Sequence, residues 1–439
     1  MEQSSLRERI DSGPINATMI YVVFVGFMLN VVDGFDVVAM SAAAPSLIDE
    51  WDVTRAQLGP IFSAALVGMA AGAALLAPLA DRFGRRLLIV VATIVIGITM
   101  ALVPLIPAGP NSIFPLALLR LVSGLGIGII FASGATIASE FAPEKYRNIA
   151  VTTVIMGYPF GAMVVGPAAN AIIPAYGWEN LFLIGGIATL IMGAIIWFTL
   201  PESPEYLAER AGDDPRALES LNTVMKRIER EPFVAAPDVA PNTPETKTGV
   251  RSLFAAGLKA DTISLWTVYF LGFLTVYFLL SWIPTLFVDS GYTMAEGIGA
   301  LTMFNLGAVL GIVIIGLIAT NIKLAKPIAA YFFGSALLLI ALYYWRTDAL
   351  FWLNVMIFLV GMLLQGAFTA MYALAARVYP TRNRATGIGW AAGLGRVGAI
   401  ISPIVAGVLA TAGWSMYSLF LLFALPLVLA ALLVSRFRV

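Results

Sequence analysis

Long apolar runs separated by short polar segments follow one another along almost the whole chain. Twelve of these runs are long enough for an α-helix to cross a hydrocarbon core of roughly 30 Å, which takes about 20 residues. Helices are expected because backbone groups without a partner are costly in lipid. The predicted spans are 17–46, 58–80, 87–107, 113–140, 149–174, 180–200, 261–288, 296–319, 326–345, 350–376, 386–410 and 414–435.

One long polar segment, residues 201–260, divides the predicted spans into six and six. It contains PRALESLNTVMKRIER, residues 215–230, whose pattern predicts a surface helix. The Pro-rich stretch EPFVAAPDVAPNTPETKTG follows, and its composition predicts a mobile linker. We therefore expect an all-α integral membrane protein with an N-terminal half (1–200), a cytoplasmic loop (201–260) and a C-terminal half (261–439).

The two halves resemble each other, which predicts pseudo-symmetry. Four residues recur at an offset of 237 positions: Gly124 as Gly361, Pro143 as Pro380, Arg147 as Arg384 and Gly161 as Gly398. Coincidence among common Gly and Pro is the alternative, and a single shared offset disfavours it. Repeated six-helix halves are typical of secondary transporters, which bind substrate between the halves near the middle of the membrane.

The amino-acid composition limits the kinds of chemical site that the chain can form. Hydrophobic residues make up 60% of the chain and charged residues 12%, and there is no cysteine or histidine. Disulfides and Cys/His metal sites are therefore excluded, and proton chemistry must fall mainly to Asp and Glu. No metal cluster, phosphate-binding loop or large soluble domain is recognisable, so we expect neither an enzyme nor a cofactor, and no nucleic-acid partner. A monomer is the default for this architecture.

The distribution of Lys and Arg predicts the orientation in the membrane. With the N-terminus inside, 22 of the 26 basic residues fall in inside segments, and only Arg55 and Arg346 fall outside. Positive residues concentrate on the cytoplasmic side of membrane proteins. Both termini and the long loop are therefore expected in the cytoplasm.

Apart from residues at the very ends of the predicted spans, four charged residues lie inside them: Asp33, Asp36, Arg120 and Arg396. Such residues are costly in lipid, so they usually face a cavity and form pairs. Asp33 and Asp36 share one helix face, and the depths of Asp36 and Arg120 match, which predicts an ion pair between them. Two acids beside one base would make a site whose proton affinity depends on whether that pair is closed. The alternative is an ion network that serves only helix packing.

Arg396 has no acidic residue in the interior of the spans of its own half. We expect it to contact a substrate anion, with capping of backbone carbonyls as the alternative. Residues that could contact the rest of a substrate, or serve only in packing, are Phe35, Tyr158, Tyr277, Trp282 and Tyr372 with their rings, and Gln365 and Asn305 with hydrogen bonds. Gly124 and Gly128 offer a flat face for close approach of another helix.

The segment LADRFGRR, residues 79–86, resembles the signature loop of the major facilitator superfamily. Asp81, Arg82, Gly84, Arg85 and Arg86 match that pattern. Gly84 permits a tight turn, and Asp81 could meet a helix N-terminus. In the superfamily this loop is a gating latch between the halves.

Three further motifs resemble those of one family within the superfamily, the aromatic acid:proton symporter family. They are DGFD, YFLLSWIPTLF and RNRATGIGWAAGLGRVGAIISP. The resemblance implies a bacterial inner-membrane symporter that couples protons to the uptake of an aromatic carboxylate such as a hydroxybenzoate. It also implies that Asp33 and Asp36 are needed for transport, with Arg120 and Arg396 as the family's arginines and Asp81 as its loop acid. The alternatives are transport of another small organic anion or sugar-like metabolite, an efflux antiporter and a non-transporting sensor.

Overall fold

The computed structural model describes residues 5–237, 250–254, 257–318, 323–347 and 349–437. In these ranges the chain is helical, with no strand. Most of the predicted linker, residues 238–249, lies outside the described part. The predicted surface helix of the loop is present as Pro215–Arg227, after a shorter helix, Pro204–Arg210.

All twelve predicted spans are confirmed as long apolar helices. Their bounds are α1 Ala17–Trp51, α2 Arg55–Ala71, α3 Arg85–Ala101, α4 Ile113–Phe141, α5 Glu144–Tyr176, α6 Glu179–Thr199, α7 Lys259–Asp289, α8 Met294–Ile318, α9 Ala325–Trp345, α10 Leu350–Val378, α11 Thr381–Thr411 and α12 Met416–Val434. Helix α2 continues through a π-helical turn, Gly72–Leu76, and a short 3₁₀ turn to a last helical turn at Ala80–Phe83. Several helices extend beyond the apolar run because polar residues continue the helical backbone outside the hydrocarbon.

The same packing pattern occurs in both halves. Helix α1 packs on α5 and α2 on α4, while α7 packs on α11 and α8 on α10. The predicted close approach at Gly124 is confirmed, and its partner is α2: a Cβ atom on Gly124 would lie 2.1 Å from the carbonyl oxygen of Ala65. In the second half, a Cβ atom on Gly361 would lie 2.1 Å from the carbonyl oxygen of Phe304. Equivalent glycines therefore bring equivalent helices together.

Contacts between the halves cluster at one face of the bundle. An even number of spans returns the chain to the side on which it started, so both termini lie at the same face of the bundle. We call this face the terminal face and the opposite one the far face. At the far face, Arg55 at the start of α2 pairs with Asp289 at the end of α7, with 2.6 Å between Nε and Oδ2. Deeper in the bundle, the Ser63 hydroxyl donates to the carbonyl oxygen of Ile400 at 2.6 Å.

Helix α11 is closely packed on α2 near the far face, and it has free space beside two of its glycines towards the terminal face. A Cβ atom on Gly59, near the far face, would lie 2.8 Å from the Cα atom of Ile404 in α11. On the terminal side of α11, by contrast, Gly389 and Gly393 have no neighbouring atom within 4 Å of such a Cβ position. The packing of α11 is therefore looser on its terminal side than near the far face.

The segment before α1 is bound to the loop after α6. A short helix, Leu6–Asp11, buries Leu6 and Ile10. The guanidinium of Arg9 lies 3.8 Å from the ring centroid of Phe233, and the Asp11 carboxylate accepts the backbone N–H of Glu144 at 2.7 Å. The N-terminal segment thus joins the start of α5 to the polar loop.

Candidate functional site

An ion pair between α1 and α4 lies within the first half. Arg120 donates from Nη1 to Oδ1 of Asp36 at 2.6 Å and from Nη2 to the Asp36 carbonyl oxygen at 3.1 Å. The second carboxylate oxygen of Asp36 accepts the Ser123 hydroxyl at 3.0 Å. The side chains of Arg120 and Asp36 are 3% and 0% exposed. The predicted ion pair is therefore present, and both carboxylate oxygens of Asp36 are engaged.

Asp33 lies one turn away on the same helix but in a different environment. Its side chain is fully buried, and neither carboxylate oxygen has a hydrogen-bond partner among the described residues. The charged groups near enough to act on it are Asp36, Arg120 and, from the second half, Arg396. Tyr158 of α5 and Tyr277 of α7 are near enough for the charge of this carboxyl group to act on their hydroxyl groups. Asp33 therefore faces the boundary between the halves.

The glycine between the two acids sets the position of α1. A Cβ atom on Gly34 would lie 1.9 Å from the carbonyl oxygen of Tyr158, so the two backbones meet at this point. The contact fixes the depth of Asp33 relative to Tyr158, because any side chain at position 34 would push α1 away from α5.

We expect Gly34→Ala to destabilise the protein by about 1–3 kcal/mol, which is the usual cost of overpacking. Thermal unfolding of the purified protein in detergent would measure this effect. Gly299→Ala is the matched control, because no atom lies within 4 Å of a Cβ atom at that position in α8. Equal melting temperatures for the two variants would contradict the proposed backbone contact.

Arg396 has aromatic neighbours from both halves. Its guanidinium carbon lies 5.7 Å from the ring centroid of Phe131 in α4. Tyr277 and Tyr372 are close enough for its charge to act on their hydroxyl groups. Gln365 is almost buried and precedes Tyr372 by seven residues, so the two share one face of α10. The structure thus brings together five predicted residues: Arg396, Tyr158, Tyr277, Tyr372 and Asp33.

Three other predicted contact residues have partners of their own. Phe35 points away from Asp33 towards α6, where its ring would meet a Cβ atom on Gly185 at 2.7 Å. Trp282 is fully buried, donates its indole N–H to the Pro403 carbonyl oxygen at 3.2 Å and packs across the halves on Phe62. Asn305 is buried in α8 and donates its amide to a carbonyl of its own helix.

The loop between α2 and α3 turns at Gly84, whose φ of +94° fits the predicted tight turn. Asp81 does not bind the N-terminus of α3, which follows this turn. Glu202 takes that place, and its Oε1 accepts the backbone N–H groups of Arg85 at 2.9 Å and Arg86 at 3.1 Å. Asp81 lies before the turn with its side chain 73% exposed, and its contact with Arg85 is 3.5 Å long.

The arginines of this loop bind groups of the first half. Arg85 places Nε 2.7 Å from Oε1 of Glu140 at the end of α4. Arg86 donates to the carbonyl oxygen of Trp197, and the carbonyl oxygen of Arg82 accepts from Arg210 at 2.5 Å. The loop is therefore anchored to α4, α6 and the polar loop.

Three residues that contact the predicted site and loop residues were not predicted from the sequence: Ser123, Glu140 and Phe131. Ser123 follows Arg120 by three residues, so helical spacing could have placed it beside the same carboxylate. Glu140 ends α4 at the terminal face, where the arginine loop also lies. No pattern in the sequence pairs Phe131 with Arg396, because they belong to different halves. In the described part of the chain no group of three or more acidic residues is arranged to hold a metal ion.

Comparison with known proteins supports the architecture. The family model of the Major Facilitator Superfamily matches residues 26–368 and 265–439. The D-xylose transporter XylE of E. coli, in its inward-open conformation, superposes with a TM-score of 0.74 at 18% identity, over 96% of each chain. This likeness shows a shared fold.

Proteins of similar sequence define the family more narrowly than the shared fold does. The chain is 34% identical to the 4-hydroxybenzoate transporter PcaK of Pseudomonas aeruginosa, over 98% of this chain and 95% of that protein. It is 32% identical to a gallate transporter of Pseudomonas putida, over 97% and 93% of the two chains. A benzoate transport protein of Acinetobacter baylyi is 27% identical over 97% and 91%. The chain is therefore a transporter rather than an enzyme, and it belongs to the Major Facilitator Superfamily and, within it, to the aromatic acid transporter family.

Proposed function

We propose that this protein is a symporter that couples proton entry to the uptake of an aromatic carboxylate by alternating access. The observation that carries the proposal is Asp33, a fully buried carboxyl group without a hydrogen-bond partner among the described residues, which faces Arg396 across the boundary between the halves. The names of the relatives support an aromatic acid as the substrate, with 4-hydroxybenzoate and gallate as the first compounds to test.

Arg396 binds the substrate carboxylate in this proposal. A guanidinium is a permanent cation with a planar set of donors that matches a carboxylate. Tyr158, Tyr277 and Tyr372 surround the same space, and their rings can contact an aromatic ring while their hydroxyl groups bond to its substituents. Gln365 on the same face of α10 adds an amide. These residues come from both halves, so substrate binding would draw the halves together.

Asp33 carries the proton. A bare carboxylate buried without a hydrogen-bond partner is costly, whereas the neutral acid is tolerated in such surroundings. Asp36 is unsuited to this role in the observed state, because both of its oxygens already have partners in Arg120 and Ser123. We therefore assign proton carriage to Asp33 and a holding role to the Asp36–Arg120 pair.

Coupling follows if the empty, deprotonated site resists the change between outward and inward states. A negative Asp33 would attract Arg396 and compete with the substrate carboxylate. Protonation removes this competition, so Arg396 becomes free for the substrate. Such a mechanism needs states that differ in their affinity for proton and substrate.

The orientation follows from the basic residues. We propose that the terminal face is cytoplasmic, so the observed state is open to the inside, and that the membrane is a bacterial inner membrane. The chain would act as a monomer. In the outward-open state the loop residues Asp81, Arg82, Gly84, Arg85 and Arg86 would act as a gating latch between the halves.

Purified protein in liposomes loaded with a pH-sensitive dye would test the proposal. We expect external 4-hydroxybenzoate or gallate to acidify the interior beyond the passive leak. Arg396→Gln should weaken apparent substrate affinity roughly 10- to 150-fold, because hydrogen bonds to a charged group contribute about 1.5–3 kcal/mol.

Arg346→Gln is the matched control. Arg346 is also an arginine of the second half, but it is exposed at the end of α9, where it packs on Tyr343. Its replacement should leave uptake unchanged. Acidification by the wild type that persists at full affinity in Arg396→Gln would remove Arg396 from the site. Alkalinisation of the interior would indicate exchange of substrate for protons instead.

A further inference from the structure

A second buried polar side chain without a full set of partners lies one turn from Asp33. The Asn30 side chain is 1% exposed, and its Oδ1 atom has no hydrogen-bond partner among the described residues. Its amide nitrogen is engaged, because it donates to the carbonyl oxygen of Gly26 at 3.0 Å. This bond holds the side chain in place and leaves the oxygen as a free acceptor.

Asn30 lies where α1, α4 and α5 meet. A Cβ atom on Gly157 of α5 would lie 2.8 Å from the Cβ atom of Asn30, so that side is closely packed. On the α4 side, the nearest atom to a Cβ position on Gly134 is the Asn30 amide nitrogen, at 3.7 Å. The missing side chain of Gly134 therefore leaves room beside the amide group.

The two side chains share one face of α1. Asn30 precedes Asp33 by three residues, so their side chains are neighbours on the helix. Because α1 starts at the terminal face, Asn30 is roughly 4.5 Å closer to that face at a rise of 1.5 Å per residue. It therefore lies on the side to which a proton carried by Asp33 must leave during uptake.

The chemistry of the two groups requires a donor between them. The amide oxygen of Asn30 and the oxygens of a carboxylate are acceptors, so they cannot bond to each other directly. Buried polar atoms are almost always satisfied, and a polar space with room for it holds a water molecule. A water molecule that donates one hydrogen to each group would satisfy two of these three otherwise unpartnered oxygen atoms.

We infer that Asn30 is a positioning residue that holds a water molecule against Asp33, and that this water accepts the proton of Asp33 on the way to the terminal face. The inference rests on the proposed proton-coupled function. In this step the O–H bond of the Asp33 carboxyl group breaks and an O–H bond forms on the water. The resulting hydronium ion donates to Oδ1 of Asn30 and passes its proton to bulk water in the open cleft.

Other charged and titratable groups act on Asp33 at the same time. They are Asp36 on α1, Arg120 on α4, Tyr158 on α5, Tyr277 on α7 and Arg396 on α11. The two arginines stabilise the carboxylate that remains after the proton has left. Asn30 acts on the departing proton instead, so its replacement should slow proton release without removing the carboxylate's partners.

Asn30→Val and Asn30→Thr form a matched pair for the test. The two side chains have the same shape and differ by a methyl group against a hydroxyl group, so any packing strain from branching at Cβ is common to both variants. A threonine hydroxyl can donate to the carbonyl four residues back and still accept from water. In liposomes we expect Asn30→Val to slow substrate-driven acidification about tenfold, and Asn30→Thr to keep at least half of the wild-type rate.

Exchange of labelled for unlabelled 4-hydroxybenzoate or gallate, the same compound inside and outside, needs no net proton release, so both variants should exchange within about twofold of the wild type. Equal acidification rates for Asn30→Val and Asn30→Thr would overturn the inference, as would an equal loss of exchange and acidification in Asn30→Val. Absence of acidification in the wild type would instead reject the proposed symport. Loss of acidification in Asp33→Asn with no effect of Asn30→Val would reject the role of Asn30 alone.

Discussion

Asp33→Asn is expected to reduce proton-driven accumulation of the substrate to the level of passive leak. An amide has the shape of a protonated carboxyl group but cannot release a proton, so net uptake cycles should stop. Exchange of internal for external substrate should continue, because the neutral amide mimics the loaded state. Accumulation of labelled 4-hydroxybenzoate or gallate under an imposed pH gradient would measure the first effect, and exchange without a gradient the second.

Asp52→Asn is the control for this prediction. Asp52 is exposed at the end of α1 with a φ of 51°, a backbone conformation that asparagine also tolerates. Its replacement should leave both accumulation and exchange unchanged. Proton-driven accumulation by Asp33→Asn at the wild-type level would show that another group carries the proton.

Arg120→Leu is expected to destabilise the protein by about 3–5 kcal/mol, because it leaves the buried charge of Asp36 without its partner. Asp36→Leu should have a comparable effect, since the guanidinium would then be unpaired. Replacing both residues by leucine should recover much of this loss, because buried ion pairs can often be replaced by apolar side chains at little cost. Thermal unfolding in detergent would give the four melting temperatures of this cycle.

Transport activity separates stability from function in the same four proteins. If the pair only holds α1 against α4, the double leucine variant should regain uptake together with its stability. A stable double variant without uptake would show that the pair takes part in coupling. Additive losses of stability in the double variant would contradict a direct interaction, because residues in contact are expected to be non-additive.

The sequence predicts the twelve spans well because the length of an apolar run is set by the thickness of the bilayer. It also predicts the Asp36–Arg120 pair, since a constant rise per residue converts sequence position into depth. Depth does not give the direction of a side chain around the helix axis. For this reason Phe35, two residues from Asp33, was expected near the substrate, although its ring packs on α6.

Contacts between distant segments were harder to predict. The N-terminus of α3 is bound by Glu202, which comes from beyond α6, rather than by the nearby Asp81. Reasoning from nearby sequence favours the acidic residue that is closest along the chain. The packing of α3 against α6 instead decides which acidic side chain reaches the N-terminus of α3. The approach of Arg396 to Asp33 likewise depends on how the two halves face each other, and no pattern within either half contains that information.

The short helix Leu6–Asp11 has a consequence for the order of events during synthesis. Arg9 lies against Phe233, and Arg230 donates to the carbonyl oxygens of Ile10 and Pro14. These partners follow all six spans of the first half in the chain and precede the seventh span. The first residues of the chain can therefore gain these contacts only after the six spans of the first half have been translated, and none of these contacts requires a residue of the second half.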